Sequence, residues 1–209
     1  GHHHRFGDMA LASCLETIKK SGKAQLTNYA SFLSRNPPRW EVEIIENSSW
    51  SCPHGVERWR SNCGCNTGQH PGWSQAWRAP LRQGLDWLHD KVAPLYEELA
   101  SKFLNDPWRA RDEYIDLILD RSPQNVSNFL ERFQFHPLSK GERITVLKLL
   151  ELQRHLLLMY TSCGWFFDDI SGVETVQILR YAGRAIQLVE ELFGANLEEE
   201  FLGFLKEAP

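Results

Sequence analysis

Residues Trp77 to Leu104 read WRAPLRQGLDWLHDKVAPLYEELASKFL, and their apolar members set the fold class. Trp77, Leu81, Leu85, Leu88 and Val92 recur at the spacing of one helix face, and Leu95, Leu99 and Leu104 carry the stripe onward. Downstream the same period returns in Tyr114, Ile115, Ile118 and Leu119, and then in Val126, Phe129, Leu130 and Phe133. Ser139 with Glu142 has the spacing of a capping box and opens a helix through Val146, Leu149, Leu150 and Leu157. Ser171 with Glu174 repeats that spacing before Val176, Leu179, Ala182 and Ile186, and Asn196 with Glu199 opens a last short helix ending near Leu205. The expected fold is mainly α, a helical bundle.

Upstream of Trp77 the pattern changes. Phe6 to Ser21 reads as a helix stopped by Gly22, and Leu26, Tyr29, Phe32 and Leu33 mark a shorter one that ends before Pro37-Pro38. Trp40, Val42 and Ile44 alternate with Glu41 and Glu43, the period of a short strand. Between residues 46 and 73, Pro53, Gly55, Gly64, Gly68, Pro71 and Gly72 interrupt any period. A loop this long without regular structure is uncommon unless it serves a function. The chain therefore divides, by this reading, into residues 1–45 and a helical domain 46–209 that carries the Trp/Cys/Gly-rich loop 46–73.

Composition narrows the function classes. The chain has 209 residues, with 23 Lys+Arg against 27 Asp+Glu, a net charge of −4 that argues against nucleic acid as the main partner. The longest apolar-rich stretch, Ile144 to Tyr160, is broken by Lys148, Glu151, Arg154 and His155, so no membrane span is expected. Five cysteines are an odd number in a chain too long for a small disulfide framework, and no signal peptide opens it. The expected compartment is the cytoplasm. Residue 1 is Gly rather than Met, which points to processing or to a piece of something longer. His2-His3-His4 reads equally as a tag remnant or as a natural run.

The loop concentrates the chemistry. Cys52, His54, Cys63, Cys65 and His70 are soft or borderline donors of the kind that hold zinc, and a metal would explain how such a loop stays ordered. The Cys63-Gly64-Cys65 spacing is shorter than that of most structural sites, so packed free thiols and a redox pair stand as alternatives. Of eight tryptophans, Trp40, Trp50, Trp59, Trp73, Trp77 and Trp87 fall in one stretch of the chain. Indoles beside His54, Arg58 and Arg60 suit the apolar faces and hydroxyls of a sugar, although core packing is the alternative for each. Asp168-Asp169 follow Gly164-Trp165-Phe166-Phe167. Adjacent carboxylates rarely flank a glycosidic bond, so they are expected to favour the start of the helix opened at Ser171.

Three runs together resemble family 57 of the glycoside hydrolases, in its α-amylase/α-mannosidase-like members with an extra domain of unknown function. They are GHHHRFGDMALA, SSWSCPHGVERWRSNCGCNTGQHPGWSQAWRAPLRQGLDWL and YTSCGWFFDDISG. The resemblance implies an incomplete catalytic barrel whose last part is residues 1–45, closed by a helical domain. It implies a retaining mechanism with a Glu nucleophile and an Asp acid/base, the Asp lying just before the Gly-His-His run. Both precede Gly1, so no catalytic residue is expected in this chain, and neither Asp168 nor Glu57 matches either role. Trp50 matches a sugar-contacting position of the family, and Trp165 a turn position suited to packing. Here Cys52-Pro53-His54-Gly55 replaces the family's usual Gly pair, which leaves the substrate open. The expected function is the helical part of an α-glucan-active enzyme, lining the cleft with Trp50, His54, Arg58, Trp59 and His3, and partnered by the barrel and an oligosaccharide. The rival is a metal-stabilised binding module with Cys52, His54, Cys63 and Cys65 as ligands, or an inert scaffold.

Overall fold

The computed structural model describes residues 5–68 and 70–209, so the expectation for His3 lies outside the described residues. The chain separates into two units, Gly1–Glu46 and Asn47–Pro209.

The first unit holds α1 (Gly7–Ser21) and α2 (Tyr29–Arg35). Gly22, at φ 63°, ends α1 in the left-handed region. The Asn28 side chain accepts from the Ser31 backbone N–H at 2.8 Å and starts α2. The strand expected at residues 40–45 does not form. A strand exists only by pairing, and the described residues contain no other strand to pair with it. Neither helix buries a residue, and Met9, Leu11, Tyr29, Phe32, Trp40, Val42 and Ile44 are all exposed.

The second unit contains α3 (Arg78–Ala100), α4 (Pro107–Asp112), α5 (Ile115–Leu119), α6 (Pro123–Phe133), α7 (Lys140–Leu158), α8 (Val173–Phe193) and α9 (Glu198–Lys206). Short 3₁₀ turns at Glu57–Trp59 and Ser162–Trp165 complete it. The architecture is mainly α. The α3 stripe is long enough to serve two cores in succession. Leu81, Leu85, Leu88 and Val92 pack with Leu152, Leu156, Trp165, Ile178 and Ala182 in one. Tyr96, Ala100 and Leu104 pack with Phe129, Phe133, Val146 and Leu149 in the other. Beyond Val92 the buried line thus runs through Tyr96 and Ala100, with Leu95 and Leu99 half-buried beside it. The α7 helix spans both cores in the same way and packs along α8.

Helix starts follow local hydrogen-bond competition. The Ser139–Glu142 capping box forms, with the Ser139 N–H donating to Glu142 Oε2 at 2.7 Å. The one expected at Ser171 does not, because Asp169 takes both the backbone N–H and the hydroxyl of Ser171 and the N-cap shifts to Gly172. No helix among the described residues is long and apolar enough to cross a membrane.

Candidate metal centre

Two of the loop's left-handed glycines, Gly55 and Gly64, shape the donor set. At Gly55, φ is 78° and a Cβ would sit 2.4 Å from the Asn47 carbonyl oxygen, so only glycine fits the turn that follows Cys52 and His54. At Gly64, φ is 76°, which bends the chain between Cys63 and Cys65 and lets both thiols face inward. The spacing that is too short for an extended pair is adequate for a bent one.

The result is a compact donor set. Cys52 Sγ lies 3.8 Å from Cys63 Sγ and 3.7 Å from Cys65 Sγ. His54 Nδ1 is 3.9 Å from Cys52 Sγ and 3.5 Å from Cys65 Sγ. All four ligand atoms fall within 4.8 Å of one another. Bonds of about 2.3 Å to sulfur and about 2.0 Å to nitrogen at the tetrahedral angle require neighbouring ligand atoms roughly 3.5–3.8 Å apart. The contacts above cluster around that spacing, and the group can hold a metal ion. The sulfurs are too far apart for a disulfide, and all are free thiols. His70, the fifth donor in the sequence, stacks on Trp73 at 3.9 Å instead.

Burial alone would raise the Cys52 thiol. Hydrogen bonds from the backbone at His54 and Arg58 and from the His54 ring outweigh it and bring the group to about 6. Cys65 moves the other way, to about 11, through burial and its hydrogen bonds with Cys52 and Cys63.

Side chains fasten this loop to the turn between α7 and α8. Arg58, 5% exposed, donates from Nη1 to the Phe166 carbonyl and from Nη2 to the Ser51 carbonyl, both at 2.8 Å. Its guanidinium lies 4.5 Å over the Phe166 ring. The Trp59 indole N–H donates to the Ser162 carbonyl at 3.1 Å. Asp168, buried, accepts from the Thr67 backbone N–H at 3.0 Å and from its hydroxyl at 2.6 Å. That bond replaces the helix-start role expected for Asp168. Arg78, at the start of α3 and 0% exposed, donates to the Cys65 carbonyl at 3.3 Å and to the Phe167 carbonyl at 3.2 Å.

Of the expected sugar-lining residues, Trp50 presents its face outward, 91% exposed and stacked on Phe166 with ring centroids 5.9 Å apart. His54 points its Nδ1 at the thiols. Arg58 spends its donors on backbone carbonyls, and Trp59 packs against the first core. Trp165 is buried in that core, as its packing reading expects. Sequence reasoning missed Arg78 and Phe166. The signal for Arg78 was a charged residue beside Trp77 at the head of a buried stripe.

Residues 73–209 match the family model described as a domain of unknown function, DUF3536. The match begins after the four metal-ligand candidates and includes Arg78 and the turn on which their loop rests. Comparisons with curated proteins and with solved structures gave no match. Through a helical domain that accounts for most of its length, the chain belongs to the DUF3536 family.

Proposed function

We propose that Cys52, His54, Cys63 and Cys65 bind one zinc-class divalent ion as a structural clamp, and that the clamped loop serves a carbohydrate-facing helical domain. The carrying observation is that four donors converge within 4.8 Å, with four of their contacts at 3.5–3.9 Å, near the spacing of a tetrahedral set. Four protein ligands leave no open position for a reacting water, so the ion's task is folding rather than catalysis.

The wider reading, part of an α-glucan-active enzyme related to family 57, draws support from two features. Trp50 is an exposed aromatic face backed by Phe166. The first unit carries apolar side chains that no element of its own buries, the kind of surface that another domain covers. The partner of that surface is then the rest of the catalytic barrel, and the carboxylates that cleave the sugar belong to it.

Trp50→Ala tests the sugar face. In titrations with maltoheptaose, the loss of one stacking face is expected to cost about 1 kcal/mol, roughly a fivefold weaker Kd. The melting temperature should hardly move, because exposed substitutions usually stay within about 0.5 kcal/mol. Unchanged affinity in Trp50→Ala, or no binding of maltoheptaose by the parent chain, counts against the sugar reading and leaves the metal clamp standing.

A further inference from the structure

Three charged side chains are buried among the described residues: Arg58, Arg78 and Asp168. Arg78 reaches Cys63 and Cys65, Arg58 holds the Ser51 carbonyl beside Cys52, and Asp168 is tied to the same loop through Thr67. Their charges sum to +2 − 1 = +1 on side chains that are themselves buried, beside a cluster in which Cys52 is buried, Cys63 and Cys65 are half-buried and His54 is exposed. Among the described residues, neither arginine has a carboxylate within ion-pair distance, and the Nε of each is buried without a hydrogen-bond partner. A buried cation that meets only carbonyl dipoles is costly unless an anion lies close. Arg78 has a candidate anion in hydrogen-bond reach, since its Nη1 stands 3.9 Å from Cys63 Sγ.

We infer that Arg78 is the counter-charge of the metal centre, a positioning residue that makes a divalent ion on three thiolates and one imidazole electrically neutral in its pocket. Three thiolates and a divalent ion carry −3 + 2 = −1, which cancels the +1 of the buried side chains. The inference rests on the metal clamp proposed above and adds the residue that balances it. Arg78 stands at the head of α3, inside the family-matched segment, so the helical domain itself supplies the compensating charge to a loop that precedes it.

A packing role and a charge role separate by linkage. An arginine that only fills space stabilises the zinc-loaded and metal-free chains equally. One that also balances the thiolates stabilises the loaded chain more than the metal-free one. The test uses the full chain with Arg78→Gln and Arg78→Lys, zinc affinity from competition with a chelating dye, and thermal unfolding in excess zinc and in chelator. Arg78→Gln is expected to weaken zinc binding 10- to 100-fold, the usual effect of removing an outer-shell partner. It should lower the melting temperature more in zinc than in chelator, and Arg78→Lys should recover most of the affinity. Zinc affinity within threefold of the parent, or equal loss of melting temperature in zinc and in chelator, overturns the inference while the clamp stands. If Arg78→Gln does not fold, Arg78→Lys decides: retained affinity supports the inference and lost affinity overturns it. A parent chain that takes up no zinc removes the clamp, and the inference with it.

Discussion

Stripping metal from the protein is expected to lower its melting temperature by roughly 5–11 °C. The loop 47–73 has few apolar anchors of its own, and on the proposed reading a metal on Cys52, His54, Cys63 and Cys65 adds to the hydrogen bonds that hold it. A ligand that binds only the folded state stabilises it by RT ln(1 + [L]/Kd), about 2.7 kcal/mol at a hundredfold excess over Kd. For a chain of this size each kcal/mol moves the transition by about 2–4 °C. The effect should be local in origin: chelation should release Arg58 and Arg78 from the Phe166 and Phe167 carbonyls, while the α7–α8 contact in the cores stays intact. Calorimetry in zinc and in chelator measures the shift. Identical transitions in both would mean that the loop is held by its hydrogen bonds alone.

Trp77→Ala should be more damaging still. Trp77 is 1% exposed in the first core, stacks on Trp165 with centroids 6.2 Å apart, and donates its indole N–H to the Asp168 carbonyl at 3.4 Å. Truncating a buried tryptophan costs about 3–5 kcal/mol, because apolar burial is lost and the cavity collapses only partly. At about 2–4 °C per kcal/mol the transition falls by roughly 6–20 °C. The contrast with Trp50→Ala divides the cluster: the Trp77 variant should melt early, and the Trp50 variant should melt with the parent. Equal melting of the two would place both indoles in one environment, against the exposure that separates them.

The difference between those tryptophans was not legible in the sequence, where both sit in the same Trp-rich stretch. Helices were legible because their signals are local: the Trp77-to-Val92 stripe and the Ser139–Glu142 box need no distant partner. Local signals failed where a competitor or a missing neighbour decided. Asp169 outcompeted the Ser171 box, and residues 40–45 had the alternation of a strand without another strand to pair with. The donors of the candidate metal site were visible as residue types, yet their spacing looked unfavourable until Gly64 bent the chain between two of them. Arg58 read as a surface donor for sugar because arginines are mostly exposed. Its burial follows from carbonyls of the 162–168 turn, more than a hundred residues away, which no local pattern announces.

The most direct test is X-ray absorption at the zinc edge on the purified, zinc-loaded chain. The account predicts one zinc per chain with three sulfur neighbours at about 2.3 Å and one nitrogen at about 2.0 Å. It also predicts that Cys63→Ser loses one sulfur from that shell and most of the bound metal. A substoichiometric ion, or a shell of nitrogen and oxygen atoms indifferent to Cys63→Ser, would contradict it.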